Sequence, residues 1–134
     1  MSKILIVDDD VDTTNIVGCI MKSAGYEPVS VNDSTIAVKI ARTVHPDLIL
    51  LDLMMPVIDG FKLCRMLRAE AEFTRTPIII ITALADSDSK IVAYGAGATD
   101  YVTKPYLPKE LLLKINGIIT NKRPLYDENG NIVG

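Results

Sequence analysis

The sequence predicts an α/β domain in which a doubly wound parallel sheet of five strands lies between two layers of helices. Three observations predict it. Strand-like and helix-like stretches alternate five times along the 134 residues, the order that builds parallel sheets under helices. The clearest strand-like stretches, residues 4–7, 48–51 and 78–81, are unbroken apolar runs, as expected of strands covered on both faces. Each run ends in a polar group: Asp8-Asp9-Asp10, Asp52 and Thr82, with Lys104 closing a fourth stretch at residues 101–103. Ligands of such sheets bind beyond the carboxyl ends of the strands, so these groups share one rim.

The elements follow in order. After the first strand, Ile16, Val17, Ile20, Met21 and Ala24 recur at helical spacing from an Asp12 start, and Gly25 sits where the helix should stop. Residues 27–31 form the second strand. Asn32, Asp33 and Ser34 offer capping side chains to a helix carrying Ile36, Ala37, Ile40 and Ala41, which His45-Pro46-Asp47 breaks. Residues 48–51 form the third, central strand. Asp59-Gly60 turns into a third helix with Phe61, Cys64 and Leu67 along one stripe. Thr76-Pro77 precedes the four-isoleucine strand, and Asp86-Ser87-Asp88 caps a short helix ending near Gly95 or Gly97. A weak fifth strand, residues 99–102, leads through Lys104-Pro105 to a last helix with Leu111, Leu112, Ile115, Ile118 and Ile119. Right-handed crossovers turn this order into a three-layer sandwich. Beyond it, Asn129-Gly130 between Tyr126 and Ile132-Val133 is a hairpin signal, so residues 122–134 read as a tail, a linker or the start of a further module.

Composition narrows the function. A net charge of −3 and a pI near 5.1 argue against a nucleic-acid surface. No apolar run approaches the roughly 18 residues of a membrane span, and no signal peptide is evident between Met1 and the first strand. Cys19 and Cys64 have no metal spacing and are expected on apolar helix faces, in keeping with a reducing, cytoplasmic setting.

The rim carries the chemistry. A carboxylate emerging where a strand becomes a loop, as Asp52 does, can act as nucleophile on a phosphoryl group. Asp8 and Asp9 would repel that group unless a divalent cation sat among the acids. Mg²⁺ suits them, since it takes oxygen ligands from one or two carboxylates, water and phosphate. Three adjacent acids cannot all cap one helix; Asp10 alone reads as a capping or solvated residue. The Lys104 ammonium and Thr82 hydroxyl can each meet a phosphate oxygen and stabilise moving charge.

The blocks Ile-Val-Asp-Asp, Leu-Asp-Leu-Met-Met-Pro with Asp59-Gly60, Ile-Thr-Ala and Thr-Lys-Pro occur in order over roughly residues 3–120. In this they resemble the response regulator receiver domain of two-component signalling, the CheY-like family. The resemblance implies a flavodoxin-like (βα)5 fold with strand order 2-1-3-4-5, residues 1–121 forming the receiver domain and 122–134 a C-terminal tail or linker to an absent output module. It implies Asp52 as phosphoacceptor, Asp9 as a direct Mg²⁺ ligand, Asp8 acting mainly through water, and Met54 lending its backbone carbonyl, with Mn²⁺ able to substitute. Thr82 and Lys104 would contact the phosphoryl group, and the bond before Pro105 would be cis. Tyr101 would turn inward as Thr82 moves, changing the surface of helix four, strand five and helix five (residues 87–94 and 101–113). The partners implied are a sensor histidine kinase or phosphotransfer protein, meeting residues 11–20, and a downstream effector. A phosphorylation-dependent dimer is a further expectation; nucleic acid and membrane are not. The protein would phosphorylate itself and lose the group slowly, with no outside substrate.

Met54 and Leu84, two residues past Asp52 and Thr82, are apolar and cannot orient an attacking water, so they would lengthen the phosphoryl lifetime. Two other classes compete. A Mg²⁺-dependent aspartyl-phosphate phosphatase would need an acid at Met54, and a phosphate-independent receiver-like binding module would lack one of the rim groups. A flavodoxin proper would need a hydroxyl- and Gly-rich loop in place of Asp8-Asp9-Asp10, and no P-loop motif occurs. His45, the single histidine, reads as a capping or surface residue.

Overall fold

The computed structural model describes residues 1–121. Its elements are β1 (Lys3–Val7), α1 (Val11–Ser23), β2 (Glu27–Val31), α2 (Ala37–Val44), β3 (Leu48–Asp52), α3 (Gly60–Arg68), β4 (Ile78–Thr82), α4 (Ser87–Gly95), β5 (Asp100–Thr103) and α5 (Pro108–Asn121). Short 3₁₀ turns at Ser34–Ile36 and Ala71–Phe73 precede α2 and follow α3. All strand pairs are parallel, in the order β2-β1-β3-β4-β5. This is the doubly wound sheet that the sequence pattern predicts, in the flavodoxin-like order that the resemblance implies, with β3 at its centre.

Strand geometry explains the unbroken apolar runs. Successive side chains point to opposite faces. Leu5, Val7, Ile49, Leu51, Ile78 and Ile80 pack with Ala37 and Ala41 of α2, Leu63, Cys64 and Leu67 of α3, and Ala93 of α4. The alternate residues Ile4, Ile6, Leu48, Leu50, Ile79 and Ile81 pack with Val17 and Met21 of α1 and Leu111 and Ile115 of α5. Burying each such side chain contributes roughly 1.5–3 kcal/mol, so both faces must be apolar in the three inner strands. The outer strands β2 and β5 are only partly buried. No helix among the described residues is long and apolar enough to cross a membrane.

Aspartates set the helix starts. The side chains of Asp10, Asp59 and Asp86 accept first-turn N–H groups of α1, α3 and α4, and Asp33 does the same for the first 3₁₀ turn. Gly25, at φ +89°, follows the end of α1, in the left-handed conformation that glycine adopts most readily.

Several details depart from the sequence reading. The first helix starts at Val11 with Asp10 as its cap, not from Asp12, because the Asp10 carboxylate takes the Asp12 N–H at 3.0 Å. Cys19 is exposed, whereas Cys64 is buried as expected. At 100° per residue, Cys19 lies about 200° around the helix from both Val17 and Met21, which face the sheet. Ile16 points outward for a similar reason, and Ile36 is exposed in the 3₁₀ turn. Of Asn32, Asp33 and Ser34, only Asp33 caps; the other two reach neighbouring loops. The fifth strand runs one residue later than expected. The hairpin expected at Asn129-Gly130 and the linker 122–134 lie outside the described residues.

Candidate functional site

Strand register brings the acids together. Val7 pairs with Leu51 across β1 and β3, so the next residues, Asp8 and Asp52, stand side by side at the rim. Both are in phase with Ile6 and Leu50, on the face covered by α1 and α5. Carboxylate oxygens of Asp8, Asp9 and Asp52 all lie within 4.8 Å of one another. The Lys104 Nζ reaches in from the end of β5, 3.4 Å from Asp52 Oδ1 and 3.8 Å from Asp8 Oδ2. Its backbone is fixed as well: the Lys104 N–H donates to the Thr82 carbonyl at 2.7 Å, and the Lys104-Pro105 peptide is cis.

The site is short of positive charge. The Asp8 and Asp52 side chains are only 9% and 11% exposed. Burial pushes the Asp8 carboxyl up from 3.8 to about 6; the Asp10 N–H and Lys104 pull it down, while Asp52 and Asp9 raise it. Asp52 is raised too, because burial outweighs its attraction to Lys104. One ammonium therefore does not balance three close acids. The donor set is all hard oxygen, and this chemistry fits a small divalent cation such as Mg²⁺.

Glycine lets α3 close against the end of β3. A Cβ on Gly60 would stand 2.6 Å from the Asp52 carbonyl oxygen and 2.8 Å from Leu53 Cα. Without it, the Gly60 N–H donates to the Leu53 carbonyl at 2.9 Å. Met54 follows Leu53 with its side chain exposed, and Leu84 is also exposed beyond Thr82.

Thr82 and Tyr101 form a second group joined through Leu84. Thr82 is buried, and its Oγ1 accepts the Leu84 N–H at 3.2 Å. The Leu84 carbonyl accepts the Tyr101 hydroxyl at 2.5 Å. Tyr101 is buried, and its ring lies 5.9 Å from the Lys90 ammonium. His45 is exposed at the left-handed C-cap of α2, near Glu72 and away from the rim, as expected.

Sequence reasoning misses Asn32 and Ser34. The Asn32 amide donates to the Asp8 carbonyl at 2.9 Å, and the Ser34 hydroxyl to the Pro56 carbonyl at 3.2 Å. Their only sequence signal, a run of capping residue types, points to a different role.

Known proteins match this chain closely. The family model of the response regulator receiver domain matches residues 4–116. A probable transcriptional regulator, ycf27, of Cyanophora paradoxa is 41% identical over 117 residues, covering 87% of this chain and 48% of the relative. The chain spans about half the length of the curated relatives it matches. Among solved structures, the Vibrio cholerae chemotaxis protein CheY4 superposes with a TM-score of 0.84 at 30% identity, over 88% of this chain and 98% of that one. The receiver domain of the Pseudomonas aeruginosa sensor histidine kinase PA1611, with magnesium coordinated in its active site cleft, gives 0.82 at 32% identity, over 90% and 98%.

Proposed function

This chain belongs to the response regulator receiver domain family of two-component signalling, and from that premise we propose that Asp52 is its phosphoacceptor. The observation that carries the proposal is the convergence of Asp8, Asp9 and Asp52 beside Lys104. An Asp52 oxygen attacks the phosphorus of a phosphohistidine on a sensor kinase or phosphotransfer protein. The P–N bond breaks, and the leaving imidazole nitrogen keeps the electron pair and takes up a proton. Asp9, Asp52 and the Met54 carbonyl are the direct ligands proposed for Mg²⁺ or Mn²⁺, with Asp8 acting through water. The cation supplies the positive charge that lets an anionic donor approach an anionic acceptor.

The chain's own groups do the rest. Lys104, already 3.4 Å from Asp52, pairs with a phosphoryl oxygen. The Thr82 hydroxyl uses its lone pair on the Leu84 N–H, so its proton remains free to donate to another. Moving Thr82 toward the phosphoryl group pulls on Leu84, and through the Leu84 carbonyl on Tyr101. Input at Asp52 thereby reaches the α4–β5–α5 surface, which we assign to a downstream effector or a phosphorylation-dependent dimer. Residues 1–121 would be the receiver domain and 122–134 a C-terminal tail or linker, with the domain working in the cytoplasm without nucleic-acid or membrane contact of its own. No outside substrate is proposed, because Met54 stands where a phosphatase of similar chemistry needs an acid.

NMR with beryllofluoride, a phosphoryl mimic, and Mg²⁺ tests the route. The amides of residues 82–84, Tyr101 and α4 should shift in the wild type and stay fixed in Asp52→Asn. Unshifted Tyr101 and α4 amides would refute the path to the surface.

A further inference from the structure

We propose that Asn32 is a positioning residue for the acid pocket, holding the β1–α1 turn in the curvature that brings Asp8 and Asp9 against Asp52. The inference rests on the metal-site reading above. The ladder between β1 and β2 ends at the Val7–Val31 pair, with one further bond from the Asp8 N–H to the Val31 carbonyl at 3.1 Å. Past that rung the two main chains part, and a side chain supplies the next one. The Asn32 Nδ2 donates to the Asp8 carbonyl at 2.9 Å.

The same nitrogen donates to Thr14 Oγ1 at 3.0 Å. Thr14 is buried, and its own proton goes to the Val11 carbonyl at 3.0 Å. One amide therefore grips both ends of the turn: the strand where it delivers Asp8, and the first turn of α1. Within the turn, the Asp10 N–H holds Asp8 Oδ1 at 2.9 Å. That bond leaves Asp8 Oδ2 to face Lys104.

The residue type suits the task. The Asp8 carbonyl can only accept, and the Thr14 hydroxyl has spent its proton, so two donors are needed from one side chain. A primary amide nitrogen carries two protons. A carboxylate at this position would meet both partners with oxygen, serine would bring one donor, and alanine none. Capping does not account for Asn32, since Asp33 caps the following turn. Removing groups that orient a metal's ligands typically costs about 10–100-fold in affinity.

The test is a Mn²⁺ titration followed by the EPR signal of the free ion, which needs no phosphorylation, with amide NMR of residues 8–11 alongside. Asn32→Ala should bind Mn²⁺ about tenfold more weakly, with those amides shifted before metal is added. Thr14→Val loses the α1 end of that grip but keeps the Asp8 tether, so it should weaken Mn²⁺ binding less than Asn32→Ala does; equal weakening would show that the Asp8 tether is not what positions the acids. A folded Asn32→Ala that binds within about twofold of wild type overturns the proposal. Should that variant not fold, Asn32→Ser, which keeps one donor, decides: weakened binding supports the proposal and wild-type binding overturns it. A wild type that binds no better than Asp52→Asn contradicts the metal-site reading itself, and the inference falls with it.

Discussion

Replacing Asp8 with asparagine should make the metal-free protein more stable at neutral pH, by an amount the structure sets. The folded state raises the Asp8 carboxyl from 3.8 to about 6, chiefly through burial. A folded pKa above the unfolded one means that folding favours the protonated acid. That stabilisation is complete below about pH 3.8 and is lost as pH climbs to about 6. At ~1.36 kcal/mol per unit, the shift makes ionised Asp8 cost about 3 kcal/mol at pH 7 when no divalent cation is bound. Asparagine has nearly the same shape, can accept the Asp10 N–H through its own oxygen, and carries no charge. Asp8→Asn in EDTA should therefore gain about 2–3 kcal/mol at pH 7, a Tm rise of roughly 6–12 °C, and the gap should close near pH 4. Thermal unfolding by far-UV circular dichroism across that range measures it. Added Mg²⁺ should stabilise the wild type more than the variant. A variant no more stable than wild type at pH 7, or a gap indifferent to pH, would refute the reasoning.

Two further predictions concern the loops around the pocket. Val57 sits at φ +69° in a tight turn closed by the Ile58 N–H on the Pro56 carbonyl at 2.8 Å, and its side chain is exposed. Val57→Gly should relieve about 1–2 kcal/mol of left-handed strain, less ~0.5–1 kcal/mol of extra chain entropy on unfolding. A net gain of about 0.5–1 kcal/mol in urea unfolding is expected, and a loss would show that the turn is unstrained. Two residues past Asp52 and Thr82, Met54→Asp or Leu84→Gln should speed loss of the phosphoryl group by roughly tenfold, below the ~10²–10⁴ of a well-placed general base. Unchanged lifetimes in both variants would show that these positions do not govern attack by water.

The sheet was legible because β1, β3 and β4 are buried on both faces, which writes them into the sequence as continuous apolar runs. The acids were legible because strand ends in such a sheet share a rim, so Asp8, Asp52 and Lys104 could be grouped without coordinates. What stayed hidden depends on distances between loops. Asn32 looks like a cap, yet its amide is spent on Asp8 and Thr14. Arg68 looks like a surface charge, yet its guanidinium donates to the Phe73, Thr76 and Gly97 carbonyls and ties α3 to the loops before β4 and β5. Cys19 was misplaced because the apolar residues of α1 outnumber its buried stripe, and only contact with the sheet selects Val17 and Met21. Leu84, an apolar loop residue by sequence, links Thr82 to Tyr101 through its peptide groups, which no side-chain pattern encodes.

Asp52 is proposed to receive a phosphoryl group with the help of a divalent cation. The most direct measurement is intact and fragment mass spectrometry after incubation with acetyl phosphate. With Mg²⁺ present, one added phosphoryl group is expected, carried on Asp52, absent in EDTA and absent in Asp52→Asn. Labelling at another residue, or labelling of Asp52 that proceeds equally well without a divalent cation, would contradict it.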